Sequence, residues 1–143
     1  MTADVITVTP STNLPEAHQL MKMHKIRRLP VVDEKNRVIG ILTLGDVRGA
    51  EASSATSLSV WELNYLLNRL KVKEFMTPDP VTIQPDTTIG EAALLMLQHR
   101  VSGLPVLNEK QQLVGMITES DIFSMVVLHE WEAKELQLET PAP

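Results

Sequence analysis

The stretch LPVVDEKNRVIGILTLGD, residues 29–46, returns 75 positions later as LPVLNEKQQLVGMITESD, residues 104–121. The match extends without a gap to residues 1–47 and 76–122, and 19 of these 47 pairs are identical. Unrelated stretches of average composition agree at only about one position in fifteen to twenty, so the repeat is not due to chance. Two copies, rather than three or more, indicate a pseudo-twofold pair that buries a shared face and not a solenoid.

Each copy predicts the element order β-α-β-β-α, so the fold class is α/β with two pseudo-twofold-related repeats packed through their sheets. A first helix begins where Asn13 precedes Glu16, and in the second copy where Thr88 precedes Glu91, both at the spacing of a capping box. A second helix begins near Thr43 and Thr118. The predicted strands are 5–8, 29–32 and 38–42 in the first copy, and 81–83, 104–107 and 113–117 in the second.

The first helix of each copy has one apolar face, which predicts its contact with the core. The positions on these faces are Leu14, Ala17, Leu20 and Met21 in one copy, and Ile89, Ala92, Met96 and Leu97 in the other. Between the copies, residues 51–74 form a linker that contains an amphipathic helix beginning at Ser59. The predicted organisation is a first repeat at 1–50, the linker at 51–74, a second repeat at 75–128, and a helix end with a tail at 129–143.

Composition excludes several classes of protein. The 143 residues are 43% apolar and 22% charged, as in ordinary globular domains, and aromatic residues make up 3%. The net charge of -5 argues against a nucleic-acid binder, although Lys25, Arg27 and Arg28 form a basic spot that suits a small anion. The chain has no cysteine, so it can form neither a disulfide nor a thiolate metal site. With no apolar run of about 20 residues and no signal segment, we expect a cytoplasmic protein that does not span a membrane.

The two Thr-x-x-Asp strings are the strongest candidates for binding chemistry. The carboxylates of Asp46 and Asp121 can accept hydrogen bonds from both hydroxyls of a ribose. Thr43 and Thr118 stand three residues earlier, at a helix N-terminus that favours phosphate. The alternative is that these residues only cap the second helix of each copy, and the spacing leaves both interpretations open.

The chain resembles a tandem pair of cystathionine-β-synthase (CBS) domains, known as a Bateman module. The resemblance rests on the strings VITVTP and HKIRRLPVVDEKNRVIGILTLGDV and on the segment from FMTPDPVTIQP to GMITESDI, which together cover nearly the whole chain. It implies a regulatory module that binds an adenosine-containing ligand such as AMP, ADP, ATP or S-adenosylmethionine. It also implies a homodimer and control of an attached or partner protein, with no catalysis and no cofactor other than the regulatory nucleotide; here we expect a separate effector protein.

The resemblance further implies two clefts, each built from both copies. For the cleft closed by Asp46, the implied lining residues are Arg28, Thr43, Thr82, Val101, Ser102 and Gly103. For the cleft closed by Asp121, they are Thr7, Ile26, Arg27, Thr118 and Ser120. Arg28 matches a position where some members contact phosphate, whereas the second copy has Gly103 there, so the second cleft is expected to lack that contact. The alternative for Arg28 is a solvated surface cation.

Other kinds of site have less support in the sequence. His18, His24, His99 and His129 are not spaced as metal ligands, and neither a phosphate-binding glycine loop nor a Ser/His/Asp set can be identified. An enzyme is therefore disfavoured. The main alternative to a nucleotide sensor is a structural or protein-interaction module whose clefts are vestigial and whose helices dock another protein.

Overall fold

The computed structural model describes residues 4–54 and 59–139, and it has the mixed α/β architecture that the repeat predicts. Two helices flank each of two small antiparallel sheets, and a further helix lies between the repeats. The helices are α1 (Leu14–His24), α2 (Leu44–Ser54), α3 (Val60–Arg69), α4 (Ile89–His99) and α5 (Glu119–Glu139), with a short 3-10 helix at Val72–Glu74. The strands are β1 (Arg28–Val32), β2 (Val38–Thr43), β3 (Thr77–Pro78), β4 (Gly103–Leu107) and β5 (Leu113–Thr118).

The two hairpins repeat each other pair for pair. Arg28 faces Thr43 across β1 and β2, and Gly103 faces Thr118 across β4 and β5. Both hairpins carry a register shift near the end of their first strand. The 75-residue repeat thus specifies the strand register as well as the order of the elements.

The first predicted strand of each repeat is wrong in extent. Val8 forms one parallel bridge with Val31, and Ile83 forms one with Val106. The first pairing stops because the chain turns at once, where the Thr12 N–H donates to the carbonyl of Thr9 at 3.1 Å. A strand that the sequence did not suggest, β3, instead joins the edge of β2 and extends the first sheet.

The first helix of each repeat begins where predicted. The Glu16 N–H donates to Asn13 Oδ1 at 2.9 Å, and Thr88 and Glu91 form a reciprocal capping box with both bonds at 3.1 Å. These bonds satisfy N–H groups that have no partner within the helix. The capping predictions are confirmed.

The predicted core face of α4 is partly wrong. Ala92 and Met96 are buried, but Leu97 is 78% exposed, and Leu95 packs against the core in the same helix. The matching position in α1 is Lys22, which is also exposed. The lysine at the matching position of the first repeat therefore indicated that Leu97 is exposed, although leucine is hydrophobic.

The linker completes the core of the first repeat. Val72 is fully buried there among Leu14 and Val47, and its N–H donates to the carbonyl of Thr12 at 2.8 Å. The Leu14 N–H donates to the carbonyl of Leu70 at 3.0 Å. The segment that leads into the second repeat is therefore a structural part of the first.

The two sheets meet where the hairpin of each repeat turns. Arg37 bridges to Gln112, and the Leu113 N–H donates to the carbonyl of Asn36 at 3.1 Å. The side-chain amide of Asn36 donates back to the Leu113 carbonyl at 3.3 Å. These bonds join the repeats into one module. Within the described ranges, no helix is both long enough and apolar enough to cross a bilayer.

Candidate functional site

Each repeat places its Thr-x-x-Asp string where a strand passes directly into a helix. The Thr43 N–H donates to Asp46 Oδ2 at 2.8 Å, and the Asp46 N–H donates to Thr43 Oγ1 at 3.1 Å. In the second repeat the Thr118 N–H donates to Asp121 Oδ2 at 2.9 Å. Both aspartates therefore cap helices. Capping does not exclude ligand binding, because a carboxylate has about four acceptor positions.

The loops before β1 and β4 hold the next residues against these junctions. Lys25 and Arg100 end α1 and α4 in the left-handed conformation, with φ of 53° and 54°. The chain then runs beside the junction, where the Leu44 N–H donates to the Arg27 carbonyl at 2.7 Å. The equivalent bond in the second repeat, from the Glu119 N–H to the Ser102 carbonyl, is 3.1 Å long. Two N–H groups at the start of α2, those of Leu44 and Asp46, thus already have partners.

The first cleft, which we call the Asp46 cleft, has a volume of about 330 Å³. Five predicted residues line it: Arg28, Thr43, Val101, Ser102 and Gly103. Residues that the sequence analysis missed also line it, namely Ile41, Thr77, Asp79, Pro80, Val81, His99 and Arg100. Thr82 lies instead in a neighbouring shallow groove with Ile83 and Thr87. Asp46 does not line the cleft itself but lies directly behind the lining residue Thr43, to which it is hydrogen-bonded.

The second cleft, the Asp121 cleft, is larger, at about 460 Å³. Four predicted residues line it: Ile26, Arg27, Thr118 and Ser120. The N-terminal wall is formed by residues 4–6, so Thr7 lies just beyond it, and Asp121 is again bonded to the lining threonine. Residues that the prediction for this cleft missed are Asp4, Val5, Ile6, Lys25, Arg28, Pro30, Ser102, Met116 and Glu119. Both volumes fall in the range of small-molecule sites, about 300–1,000 Å³.

The basic spot predicted from Lys25, Arg27 and Arg28 lines the Asp121 cleft. We expected this cleft to lack a phosphate contact like that of Arg28, but Arg28 itself lines both clefts. The side chain crosses from its own strand toward the second repeat, where its Nη2 donates to Ser102 Oγ. The sequence alignment pairs equivalent positions but does not indicate how far a long side chain reaches.

Burial lowers the pKa of Arg28 below its usual value, the charge of Glu119 raises it, and the charge of Arg27 lowers it. The guanidinium nevertheless stays protonated at neutral pH, since arginine does not lose its proton in proteins. The partly buried position means that solvent screens this cation less than the exposed Lys25 and Arg27 beside it. Arg28 is thus the cation best placed to attract an anion.

Gly103 explains why the side chain of Arg28 fits. A Cβ atom on Gly103 would lie 2.6 Å from Cδ and 2.9 Å from Nε of Arg28, and 2.9 Å from Cε of Met116. Gly103 itself is buried. The residue that replaces arginine in the second repeat therefore provides the space that the arginine of the first repeat fills.

Over the described ranges 4–54 and 59–139, no group of three His, Asp or Glu side chains is arranged to hold a metal ion. His18 instead contacts Glu51, with Nδ1 and Oε1 2.8 Å apart, and joins α1 to α2.

The family model for the CBS domain matches residues 1–53 and again residues 72–128. The chain belongs to the CBS domain family. It is 35% identical over 127 residues to a CBS domain-containing protein of Dictyostelium discoideum, covering 89% of this chain and 88% of that protein. It is also 38% identical over 120 residues to inosine-5'-monophosphate dehydrogenase of Korarchaeum cryptofilum, covering 84% of this chain but 22% of the dehydrogenase. The match to that enzyme is therefore confined to about a fifth of its length.

Two solved CBS domain pairs share the architecture and hold adenosine derivatives. The CBS domain pair of protein MJ0100, in complex with 5'-methylthioadenosine and S-adenosyl-L-methionine, has a TM-score of 0.74 and 27% identity, covering 88% of this chain and 90% of that one. CBSX2 of Arabidopsis thaliana, in complex with AMP, has a TM-score of 0.73 and 25% identity, covering 89% and 90%. CBS domain pairs of this architecture thus bind adenosine-containing small molecules.

Proposed function

We propose that this CBS domain pair is a regulatory module that binds an adenosine-containing ligand, namely AMP, ADP, ATP or S-adenosylmethionine, and has no catalytic activity of its own. One observation carries the proposal: each of the two repeat-related clefts is lined by a threonine, and each threonine is hydrogen-bonded to an aspartate. The complexes of MJ0100 and CBSX2 with adenosine derivatives support the ligand class.

In the proposed arrangement, the ribose hydroxyls donate to the carboxylates of Asp46 or Asp121, and the adenine lies against the apolar part of the lining. Arg28 and the neighbouring cations favour a ligand with a phosphate or other anionic group. Thr82 and Thr7, which lie just outside the two lining sets, stay in the proposal as residues that a bound ligand reaches at the rim.

Isothermal titration calorimetry of the purified chain tests this function. AMP, ADP, ATP, S-adenosylmethionine and adenosine are titrated separately, with GMP as the control that keeps ribose and phosphate but changes the base. We expect saturable heat with at least one adenosine compound and a weaker response to GMP. Silence with all five adenosine compounds would refute ligand sensing.

One observation favours a second function, protein interaction. Helix α5 exposes a run of apolar side chains, including Phe123 at 67% and Val127 at 64% exposure, and α3 exposes Trp61 at 85%. We propose that a homodimer with isologous contacts covers part of this surface, since soluble proteins rarely leave large apolar patches uncovered. Ile122, by contrast, packs against the core of its own repeat. A separate effector protein would receive the signal from the dimer.

A further inference from the structure

Arg28 and its hydrogen-bond partner Ser102 form the wall between the two clefts. Both residues line the Asp46 cleft and both line the Asp121 cleft. The bond from Arg28 Nη2 to Ser102 Oγ joins the first repeat to the second at this wall. A group bound in either cleft therefore lies in a space that Arg28 helps to line.

The pseudo-twofold symmetry provides two equivalent positions for a cation shared by both clefts, but only the position of Arg28 holds one. The repeat-related position is Gly103, and the arginine side chain lies directly over it, with Arg28 Cδ 2.6 Å from where a Cβ would be. The remaining cations are exposed and each lines a single cleft, Lys25 and Arg27 in one and Arg100 in the other. Glu119, on the rim of the Asp121 cleft, also acts on the Arg28 charge.

We propose that the two clefts compete for Arg28, so that the module binds one anionic nucleotide tightly and a second one weakly. This inference rests on the proposed nucleotide-binding function and adds the coupling between its two sites. A phosphate in one cleft holds the guanidinium through charge-assisted hydrogen bonds and withdraws it from the other. The coupling is reciprocal, because each ligand must weaken the other by the same factor. A neutral adenosine makes no demand on Arg28, so two adenosines should bind without this penalty.

The expected size of the coupling follows from the contact that is shared. Loss of a charge-assisted hydrogen bond typically weakens binding by about ten- to a hundredfold. The second AMP should therefore bind about ten- to a hundredfold more weakly than the same cleft binds AMP when the other cleft is disabled. Because Arg28 is partly buried, the effect should persist at moderate salt better than the contribution of Lys25 or Arg27.

Calorimetry and native mass spectrometry on single-cleft variants test the competition. Asp46→Asn and Asp121→Asn each disable ribose binding in one cleft, so each gives the AMP affinity of the other cleft alone. We expect each variant to bind one AMP with an affinity well above that of the second step in the unmodified protein. We expect adenosine to bind in two steps that match the single-cleft values within about threefold.

Two further variants remove or displace the Arg28 side chain, and a third is the matched control. Arg28→Ala removes the shared cation, and Gly103→Ala displaces it without changing the charge. Both should abolish the coupling, so that in each of these backgrounds the second AMP step equals the single-cleft affinity measured in the same background. Arg27→Ala, which removes a neighbouring cation from one cleft only, should lower affinity there but leave the coupling in place.

The results separate this inference from the proposed function. Two AMP molecules binding independently to the unmodified protein would overturn the competition and leave the function intact. One adenosine per chain, or coupling that survives in both Arg28→Ala and Gly103→Ala, would show that something other than Arg28 limits the second site, and would overturn it as well. No binding of AMP would overturn the competition, and silence with all five adenosine compounds would refute both proposals.

Discussion

Substitution of the two capping aspartates by alanine or by asparagine separates their contribution to stability from their role in ligand recognition. Asp46 accepts the Thr43 N–H at 2.8 Å, and Asp121 accepts the Thr118 N–H at 2.9 Å. Replacing both aspartates by alanine removes the acceptors and the negative charges at two helix N-termini. Replacing both by asparagine removes the charges but keeps an oxygen that can accept the same N–H groups.

The expected cost differs between the two double variants. The interaction of a carboxylate with the helix N-terminus contributes about 0.5 kcal/mol, and the hydrogen bond to the backbone N–H contributes about 1 kcal/mol. The free energy of unfolding should thus fall by about 3 kcal/mol for the alanine pair and about 1 kcal/mol for the asparagine pair. In a domain of this size each kcal/mol lowers Tm by about 3 to 4 °C, so the ligand-free alanine pair should melt about 6 to 8 °C below the asparagine pair.

Ligand binding should respond differently. At a hundredfold excess over Kd, a ligand at one site raises the free energy of unfolding by about 2.7 kcal/mol, which is a Tm increase of roughly 8 to 11 °C here. Both double variants should lose this increase, because an amide offers one acceptor oxygen where two ribose hydroxyls need acceptors.

Thermal melts with and without AMP measure both quantities. An asparagine pair that keeps the AMP-dependent increase would refute the ribose role of these aspartates. An alanine pair that melts with the unmodified protein would refute the capping energy.

The remaining predictions concern packing, assembly and pH. Gly40→Ala should lower the free energy of unfolding by about 1 to 3 kcal/mol in chemical denaturation, because the added Cβ would collide with the Met76 side chain beside β3. An unchanged denaturation midpoint would show that Met76 moves aside freely. Light scattering should give about twice the 15.9 kDa chain mass, and Phe123→Glu should give the chain mass itself; a monomeric unmodified protein would refute the dimer. Backbone N–H bonds, above all from Arg37, lower the pKa of Asp33, so its stabilising effect is present above the unfolded-state pKa of about 3.9 and is lost as pH falls through the lower folded value. Asp33→Asn should remove this part of the acid dependence, since Asn108 makes the same turn bonds in the second repeat without a charge, and an unchanged acid limb would contradict the assignment.

The repeat made much of the fold predictable, because each copy provided a check on the other. The hairpins, the capping residues Asn13 and Thr88, and the cleft-lining residues Thr43 and Thr118 all follow from patterns that occur twice. Hydrophobicity alone predicted that Leu97 is buried, whereas Lys22 at the matching position of the first repeat indicates an exposed position.

What the sequence did not reveal depends on contacts that cross between the copies. The position of β3 depends on the approach of Met76 to Gly40, which no local pattern indicates. The reach of Arg28 into both clefts depends on the missing side chain of Gly103 and on Ser102 across the repeat boundary. Spacing along the chain specifies neighbours on one helix or strand, but it does not specify which side chains meet across a pseudo-twofold axis.

The burial of Val72 in the first repeat has a consequence for dissecting the protein. A fragment that ends at Ala50 would lack the residue that fills the space beside Leu14, and water would reach that part of its interior. The segment between the repeats is thus part of the first core and not a passive linker. A stable first-half fragment should therefore extend at least to Met76, because Val72 is buried in the core of the first repeat and Met76 packs against that core.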